Sequence, residues 1–463
     1  MTATPLTTTP PAPLAVAAPD SARSAHHDKL PPRLPLPRRI LAHPTLMHYH
    51  RLTAVVLLVN LGLAGYMLGT GGWSTVELPT SQLASLTLAN FTLAVVVRQQ
   101  YIINLFFWLA TRARTSWPLH IRRTLGKVYH FGGLHVGGAL AGTLWFIAFT
   151  ATATVEAIRS GSGMPASLVV TYLLVALLLT VCGTALPPVR ARRHDLFERV
   201  HRFGGWLALA LFWALTVLMI AAEPGSRPLA TALLTEAGVW ALALMTFSVA
   251  LPWLRLRKVP VVVGRPSDHV ALVQLERRRV PFPGSSTAVS RNPLLEWHSF
   301  ANVPTPGQRH FRITISRAGD WTGALVDNPP SHLWVKGITT AGVANIETLF
   351  TKVVYVATGS GIGPVLPHLL ADEVPSHLVW AVRSPRTTYG DALIDEILAA
   401  RPNATIWDTA TDGKPDMVAL AYRAYREHGA EAVICISNKK LTWRVVHGLE
   451  QRGIPAYGAI WDS

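Results

Sequence analysis

Six apolar blocks, at about 52–70, 83–109, 128–154, 166–186, 203–222 and 229–254, fill most of the first 255 residues of this chain. Each is close to the ~20 residues that a helix needs to cross a bilayer, so the first half is expected to be a bundle of six transmembrane helices. A single block would read equally as a buried core helix. Six in succession leave a water-facing domain too little polar sequence to cover them. Composition agrees, because 50% of the 463 residues are hydrophobic and only 15% are charged, which is more apolar than an ordinary soluble chain of this length.

The net charge of +16 would suit a nucleic-acid binder, but the cations stand where a membrane protein places them. Arg112, Arg114, Arg122, Arg123 and Lys127 lie between blocks two and three, and Arg190, Arg192, Arg193, Arg199 and Arg202 between blocks four and five. The connections 71–82, 155–165 and 223–228 hold only Arg159 and Arg227. The positive-inside rule then puts both termini in the cytoplasm. A multi-pass protein of the cell membrane is expected, with the lipid bilayer as partner and no nucleic acid. Residues 1–45 are rich in Pro, Ala, Thr and Arg without a hydrophobic stretch, which predicts a disordered cytoplasmic tail and no cleavable signal peptide. The two cysteines, Cys182 and Cys435, predict neither a disulfide nor a cysteine metal site.

After about residue 259 the pattern changes to short β-type runs at 259–263, 269–275 and 311–315, punctuated by proline and glycine. That spacing predicts a small antiparallel barrel over 259–345. From 346 to 463 strands at 353–357, 377–382, 404–407 and 432–436 alternate with helices at 364–371, 390–400, 416–428 and 442–452, which predicts a parallel α/β domain. The membrane half would then run over 46–258. Thr358-Gly359-Ser360-Gly361-Ile362-Gly363-Pro364 follows the first of these strands and opens a helix. Glycines let a backbone approach a pyrophosphate, and the N–H groups at a helix start favour its charge. A tight strand-to-helix turn without a ligand is the plainer reading of the same residues.

Two further segments narrow the choice. Glu296-Trp297-His298-Ser299-Phe300-Ala301-Asn302 and Ser316-Arg317-Ala318-Gly319-Asp320-Trp321-Thr322 precede the glycine turn in order. Alone, His298 reads as a barrel histidine and Gly319-Asp320 as a hairpin turn. Together with the glycine turn, the three segments resemble the ferredoxin-NADP reductase superfamily and, within it, the ferric reductase and NADPH oxidase branch. The resemblance implies an FAD-binding barrel whose His298, Phe300, Gly319, Trp321 and Thr322 meet the flavin. It implies that Thr358, Gly359, Gly361, Gly363 and Pro364 hold a nicotinamide nucleotide. Arg383 and Ser384 would grip the adenosine phosphate with Arg386 as a second cation, favouring NADPH over NADH. Cys435 would lie near the nicotinamide, unless it is a buried structural cysteine. Trp461 would cover the flavin ring, unless it only packs. The chain departs from the branch at Ser299, where a proline is usual, at Gly337 to Gly342, and at Val433 to Ser437, which lacks the usual glycine and proline.

In that branch paired histidines on spans three and five hold two haems. Here Arg122 and Ala214 fall where two of the four ligands should be, so a pair of b-type haems is not expected. A single haem b would use His201 with His130 or His135 opposite. The resulting expectation is an integral-membrane NAD(P)H-dependent flavin oxidoreductase, passing hydride to FAD and electrons on to a membrane or cytoplasmic acceptor or partner enzyme. The alternatives are a transmembrane ferric or oxygen reductase with one haem, and a non-catalytic redox sensor or anchor.

Overall fold

The apolar blocks form helices, and the rest of the chain forms two sheets, in a computed structural model that describes residues 30–74, 78–161, 164–222, 228–276, 280–305 and 307–459. In chain order the helices of the first half are α1 (Leu36–Leu41), α2 (His48–Gly69), α3 (Thr80–Val96), α4 (Gln100–Thr111), α5 (Leu119–Leu125), α6 (Gly132–Ser160), α7 (Ala166–Ala185), α8 (Pro187–Arg192), α9 (His194–Ala221), α10 (Leu229–Thr235) and α11 (Ala237–Leu254). The chain divides into two compact units: 45–103 with 130–254, and 1–44 with 104–129 and 255–463.

Among the described residues five helices are long and apolar enough to cross a membrane, or six if α3 and α4 count as one bent span. The expected straight helix over 83–109 is instead broken, with a bend of 72° between α3 and α4. At the break the Gln99 side chain accepts the Tyr101 N–H at 2.6 Å, which caps the start of α4 as an N-terminal acceptor does. Similarly, 229–254 is α10 and α11 with a break at Glu236. Small residues bring helices together: a Cβ on Gly133 would lie 2.1 Å from the Tyr49 carbonyl oxygen, and one on Gly138 2.7 Å from that of Asn90. Between α2, α3 and α6, Asn60 and Asn90 exchange hydrogen bonds of 3.0 and 2.8 Å, and Trp145 Nε1 donates to Asn60 Oδ1 at 2.7 Å. Such paired amides satisfy one another where water is absent.

The second unit carries both sheets. Strands β1 (Arg257–Gly264), β2 (Val270–Glu276), β3 (Ser285–Ser290), β4 (His298–Ala301), β5 (Val303–Pro304), β6 (His310–Ser316), β7 (His332–Val335) and β8 (Thr340–Ala341) pair in the order β4-β3-β7-β1-β2-β6-β5, with β8 on β3. All of these pairings are antiparallel, which gives a near-closed barrel-like sheet. Alternation along β6 puts Phe311, Ile313 and Ile315 in the core with Val273, Val289 and Leu333. One helix, α12 (Asp320–Asp327), interrupts the strands; it replaces the hairpin turn that Gly319-Asp320 alone suggested.

The parallel sheet has the order β11-β10-β9-β12-β13. Its strands are β9 (Val353–Thr358), β10 (Ser376–Val382), β11 (Thr405–Asp408), β12 (Ala432–Ile436) and β13 (Ala456–Tyr457), and its helices α13 (Ile362–Ala371), α14 (Pro385–Tyr389), α15 (Asp391–Ala400), α16 (Met417–Glu427) and α17 (Lys439–Glu450). Asp416 caps α16 through bonds to the N–H groups of Val418 and Ala419, and Asn438 caps α17 through that of Leu441. Both elements missed in the sequence are short: β13 and α14.

Two expected boundaries are corrected. Residues 30–44 are not a free tail. Leu30 packs on the apolar cluster of the parallel domain, the Leu34 N–H donates to the Gln451 carbonyl at 2.8 Å, and Arg452 Nε donates to the Pro31 carbonyl at 3.1 Å. Residues 1–29 lie outside the described residues. Residues 104–129 leave the predicted membrane domain for the second unit, and strong polar contacts hold them there. Arg122, 5% exposed, forms a two-pronged bond to Glu431 at 2.7 and 3.0 Å and also donates to the Leu349 and Trp117 carbonyls. Lys127 pairs with Glu450, and Asn104 donates to Thr339 O and accepts from the Ala341 N–H, each at 2.9 Å. Arg122 is therefore not at a ligand position of a span.

Candidate functional site

His298 and Phe300 stand two residues apart on β4, so they share a face. Both meet Trp321 from the first turn of α12: the His298 ring is 4.3 Å from the Trp321 ring and that of Phe300 6.1 Å, nearly parallel at 22°. His298 Nε2 is buried without a hydrogen-bond partner, with Glu296 Oε2 at 3.7 Å. Gly319 precedes α12 in extended conformation (φ −171°), and a Cβ there would meet nothing within 4 Å. The Thr322 hydroxyl accepts the N–H groups of Ala318 and Gly319 at 2.9 and 3.0 Å and donates to the Gly319 carbonyl at 3.1 Å. It thus shapes the turn, and the hydroxyl is already engaged. Arg317 clamps Asp327 at the far end of α12 through a fork of 3.0 and 2.5 Å. What the turn offers a ligand is the first N–H groups of the helix, which have no intrahelical partners.

The glycine turn joins β9 to α13. Its three glycines do different work. Gly359 has φ +47° and open space where a Cβ would be, and its carbonyl accepts the Trp380 indole N–H at 3.0 Å. A Cβ on Gly361 would lie 2.0 Å from the Ile436 carbonyl oxygen, so this glycine lets α13 start against β12. A Cβ on Gly363 would lie 3.6 Å from Thr314 Cβ of β6, which is ordinary contact. Pro364 sits in the first turn of α13, where the missing N–H leaves no bond unmade. The Thr358 and Ser437 hydroxyls are hydrogen-bonded to each other across β9 and β12.

The barrel and the parallel domain meet along the outer face of β6. There Arg312 pairs with Glu396, Thr314 lies against Gly363, and the Ser316 hydroxyl is 3.3 Å from that of Tyr389. Thr314 Oγ1 is buried with no hydrogen-bond partner. Helix α13 packs against β4, β5 and β6, so the strand that carries His298 and Phe300 lies against the helix that the glycine turn opens.

Beyond β10, Arg383 is exposed and Ser384 takes φ +44°, its N–H bonded to Asp408 Oδ1 at 2.8 Å. Arg386 is drawn away from its neighbour: its guanidinium binds Asp391 and Asp395, each at 2.8 Å. Cys435 takes the second of its two readings, a buried cysteine. Its side chain lies in the apolar cluster with Val356, Val445 and Val446, because alternate residues of β12 face α16 and α17. Burial pushes this thiol up to about 12, against a smaller opposing effect of the Thr442 hydroxyl. Trp461 lies outside the described residues.

In the helical unit the His135 and His201 rings are 5.9 Å apart at 70°, and His130 stacks on His48 at 6.0 Å. His135 Nδ1 is 2.8 Å from the Ala94 carbonyl. Among the described residues no group of three or more His, Cys, Asp or Glu side chains is arranged to hold a metal ion.

Sequence reasoning missed Asp408, Ser437 and the Arg122–Glu431 pair. The first two stand at carboxyl ends of parallel strands, a position that could have marked them. Arg122 had no local signal, since its partner is 309 residues away.

Comparison with known proteins gives relatives of greater length. A family profile described as the C-terminal domain of adenylate-forming reductase 03009 matches residues 343–463. Over 428 residues the chain is 42% identical to adenylate-forming reductase 03009 of Coprinopsis cinerea, covering 92% of this chain and 41% of that protein. It is 40% identical over 426 residues to adenylate-forming reductase 06235 of the same fungus, with the same coverages of 92% and 41%. The chain thus spans about two fifths of the length of the curated relatives it matches. Similar solved structures include a ferredoxin NADP+ reductase from Neisseria gonorrhoeae with bound FAD and NADP, at TM-score 0.37 and 13% identity over 44% of this chain and 98% of that one. Phthalate dioxygenase reductase is similar at TM-score 0.35 and 16% identity over 45% of this chain and 69% of that one.

Proposed function

We propose that this chain is an integral-membrane flavin oxidoreductase that takes reducing equivalents from NAD(P)H, with NADPH preferred, and delivers them to a membrane or cytoplasmic acceptor. One observation supports the reading: helix α13 has the open glycine turn at its start and packs against β4, the strand whose His298 and Phe300 meet Trp321. The residues present fit FAD. Aromatic faces suit a flat ring system, the buried Nε2 of His298 and Oγ1 of Thr314 want partners, and no protein atom fills the space beside Gly319 or Gly359. Gly319 and the first N–H groups of α12 would hold one pyrophosphate, and Gly359 with the start of α13 another. Bound flavin would supply two-electron chemistry with a nicotinamide; the protein's part is to hold the two ring systems and keep water out.

The membrane assignment rests on helices whose outer faces are apolar. On α2, Leu58, Val59 and Leu61 are 64%, 64% and 68% exposed, which suits lipid and not water. A reductase role also accords with the names of the two Coprinopsis relatives. The test is the absorption spectrum of the detergent-purified chain before and after NADPH. Flavin bands that bleach on addition support the proposal; a colourless protein, or flavin that NADPH leaves oxidised, would sink it.

A further inference from the structure

We propose that α4 does not cross the membrane but lies along its surface, with an apolar stripe dipped into an anionic leaflet; the inference rests on the membrane reading above. The 12 residues of this helix divide into two faces. Phe107 and Ala110 are buried, whereas Tyr101, Leu105, Trp108 and Leu109 are 45%, 43%, 51% and 54% exposed. At about 100° per residue those four fall in one stripe, with the buried pair opposite. Outward-facing leucine, tyrosine and tryptophan in a row are costly in water, and they are the apolar face of a helix that rests in a lipid interface.

Length and anchoring oppose a crossing. Twelve residues rise only ~18 Å, against the ~30 Å of a hydrocarbon core. Asn104, on the flank of the helix, donates to the Thr339 carbonyl and accepts the Ala341 N–H, so α4 is fastened to the backbone at β8 of the barrel. A helix held there cannot sink among lipid tails without drawing polar loops after it. The chain also turns through 72° between α3 and α4, which leaves α4 near the membrane plane when α3 stands near the normal. Charge selects the lipid. From Leu78 to Val155 the sequence has no Asp or Glu, and α4 runs into Arg112 and Arg114, both exposed. The Arg112 guanidinium lies 4.5 Å over the Trp108 ring, so a cation borders the stripe at the level where indoles and arginines settle among headgroups. Apolar stripe and bordering cations together match anionic phospholipid.

Spin-label depth tests this on the full chain in phosphatidylcholine nanodiscs with and without phosphatidylserine. Single labels enter through Leu105→Cys or Leu109→Cys in a Cys182→Ser background, Cys435 being buried. Leu58→Cys on the outer face of α2 and Lys414→Cys, exposed in the parallel domain, are the references. Collision rates with oxygen and with a water-soluble nickel chelate report depth. Labels at 105 and 109 should show nickel access several-fold below that at 414, lie shallower than the label at 58, and move deeper when phosphatidylserine is present. Arg112→Gln combined with Arg114→Gln should abolish that last response, and both changes are at exposed positions. A lipid-buried label at 58 with water-exposed labels at 105 and 109 overturns the proposal and spares the membrane reading. Labels at 105 and 109 as deep as at 58 overturn it as well, because α4 would then belong to a span. Depth indifferent to phosphatidylserine, or a response that survives the double glutamine variant, overturns the anionic assignment. A water-exposed label at 58 would sink the membrane reading itself.

Discussion

Replacing glycines one at a time separates a ligand's demands from the fold's. Gly319→Ala adds a methyl where no protein atom lies within 4 Å, at a φ of −171° that any residue adopts. The folded protein should lose nothing, and restriction of the unfolded chain gives a gain of ~0.4–1 kcal/mol. If a pyrophosphate sits against this backbone, the methyl lengthens one or more charge-assisted hydrogen bonds. Each is worth roughly 1.5–3 kcal/mol, or about 10- to 100-fold in flavin Kd. Gly361→Ala is the contrast: its Cβ would lie 2.0 Å from the Ile436 carbonyl oxygen, so α13 and β12 must part, at a cost of ~1–3 kcal/mol or more. Gly359→Ala falls between, with ~1–2 kcal/mol of left-handed strain at φ +47°. Flavin per protein after gel filtration, FAD titration and thermal midpoints give the pattern. Gly319→Ala that keeps wild-type flavin affinity, or loses as much stability as Gly361→Ala, would refute the reasoning.

Three shorter expectations follow from the same geometry. The two-pronged Arg122 bond, opposed by burial and helped by the Thr351 N–H, holds the Glu431 carboxyl down at about 2, against an ordinary 4.5. Its stabilisation, about 1–2 kcal/mol after solvent screening, is full above pH 4.5 and lost as pH falls through 2; Glu431→Gln should flatten that part of an acid-melting profile, and an unchanged profile counts against the pair. Arg383→Ala should lower the NADPH-to-NADH rate ratio by about tenfold, while Arg386→Ala, whose guanidinium already serves Asp391 and Asp395, should act chiefly on stability; the reverse order of ratios would exchange their roles. A reporter fused after Ser463 should be active only as a cytoplasmic-maturing type, and activity of an export-dependent reporter there would invert the topology.

The parallel domain was legible because its strands are largely apolar runs set between helices, two of which, α16 and α17, are capped by Asp416 and Asn438. The aromatic cluster was legible through motif order: His298, Phe300 and Trp321 do converge. The glycine turn was legible as a turn, but its spacing could not tell Gly359, open to a ligand, from Gly361, needed for packing on β12. The sequence order likewise did not show that Asp391 and Asp395 compete for Arg386 from the next helix. Cys435 had two readings, and the alternation along β12 puts it on the buried face. The largest errors concern residues 30–44 and 104–129, whose partners are distant in sequence. Arg122 and Lys127 looked like two more basic-loop charges, yet each ends in an ion pair with the parallel domain.

Those same pairs constrain how many times the chain would cross a bilayer. Residues 30–44, 104–129 and 255–459 belong to one compact unit, so on the membrane reading all three must lie on one side. Between 129 and 255 stand the long helices α6, α7, α9 and α11, an even number of crossings that returns the chain to its starting side. Between 44 and 104 the chain must also cross an even number of times. Helix α2 supplies one crossing, and the remaining one falls to α3 with or without α4. A re-entrant α3–α4 pair, giving five crossings in all, would strand residues 30–44 away from the Gln451 and Arg452 groups that they bond. On the membrane reading, six crossings would then follow from these hydrogen bonds taken together with the apolar lengths of the helices, on the side that the arginine-rich connections select.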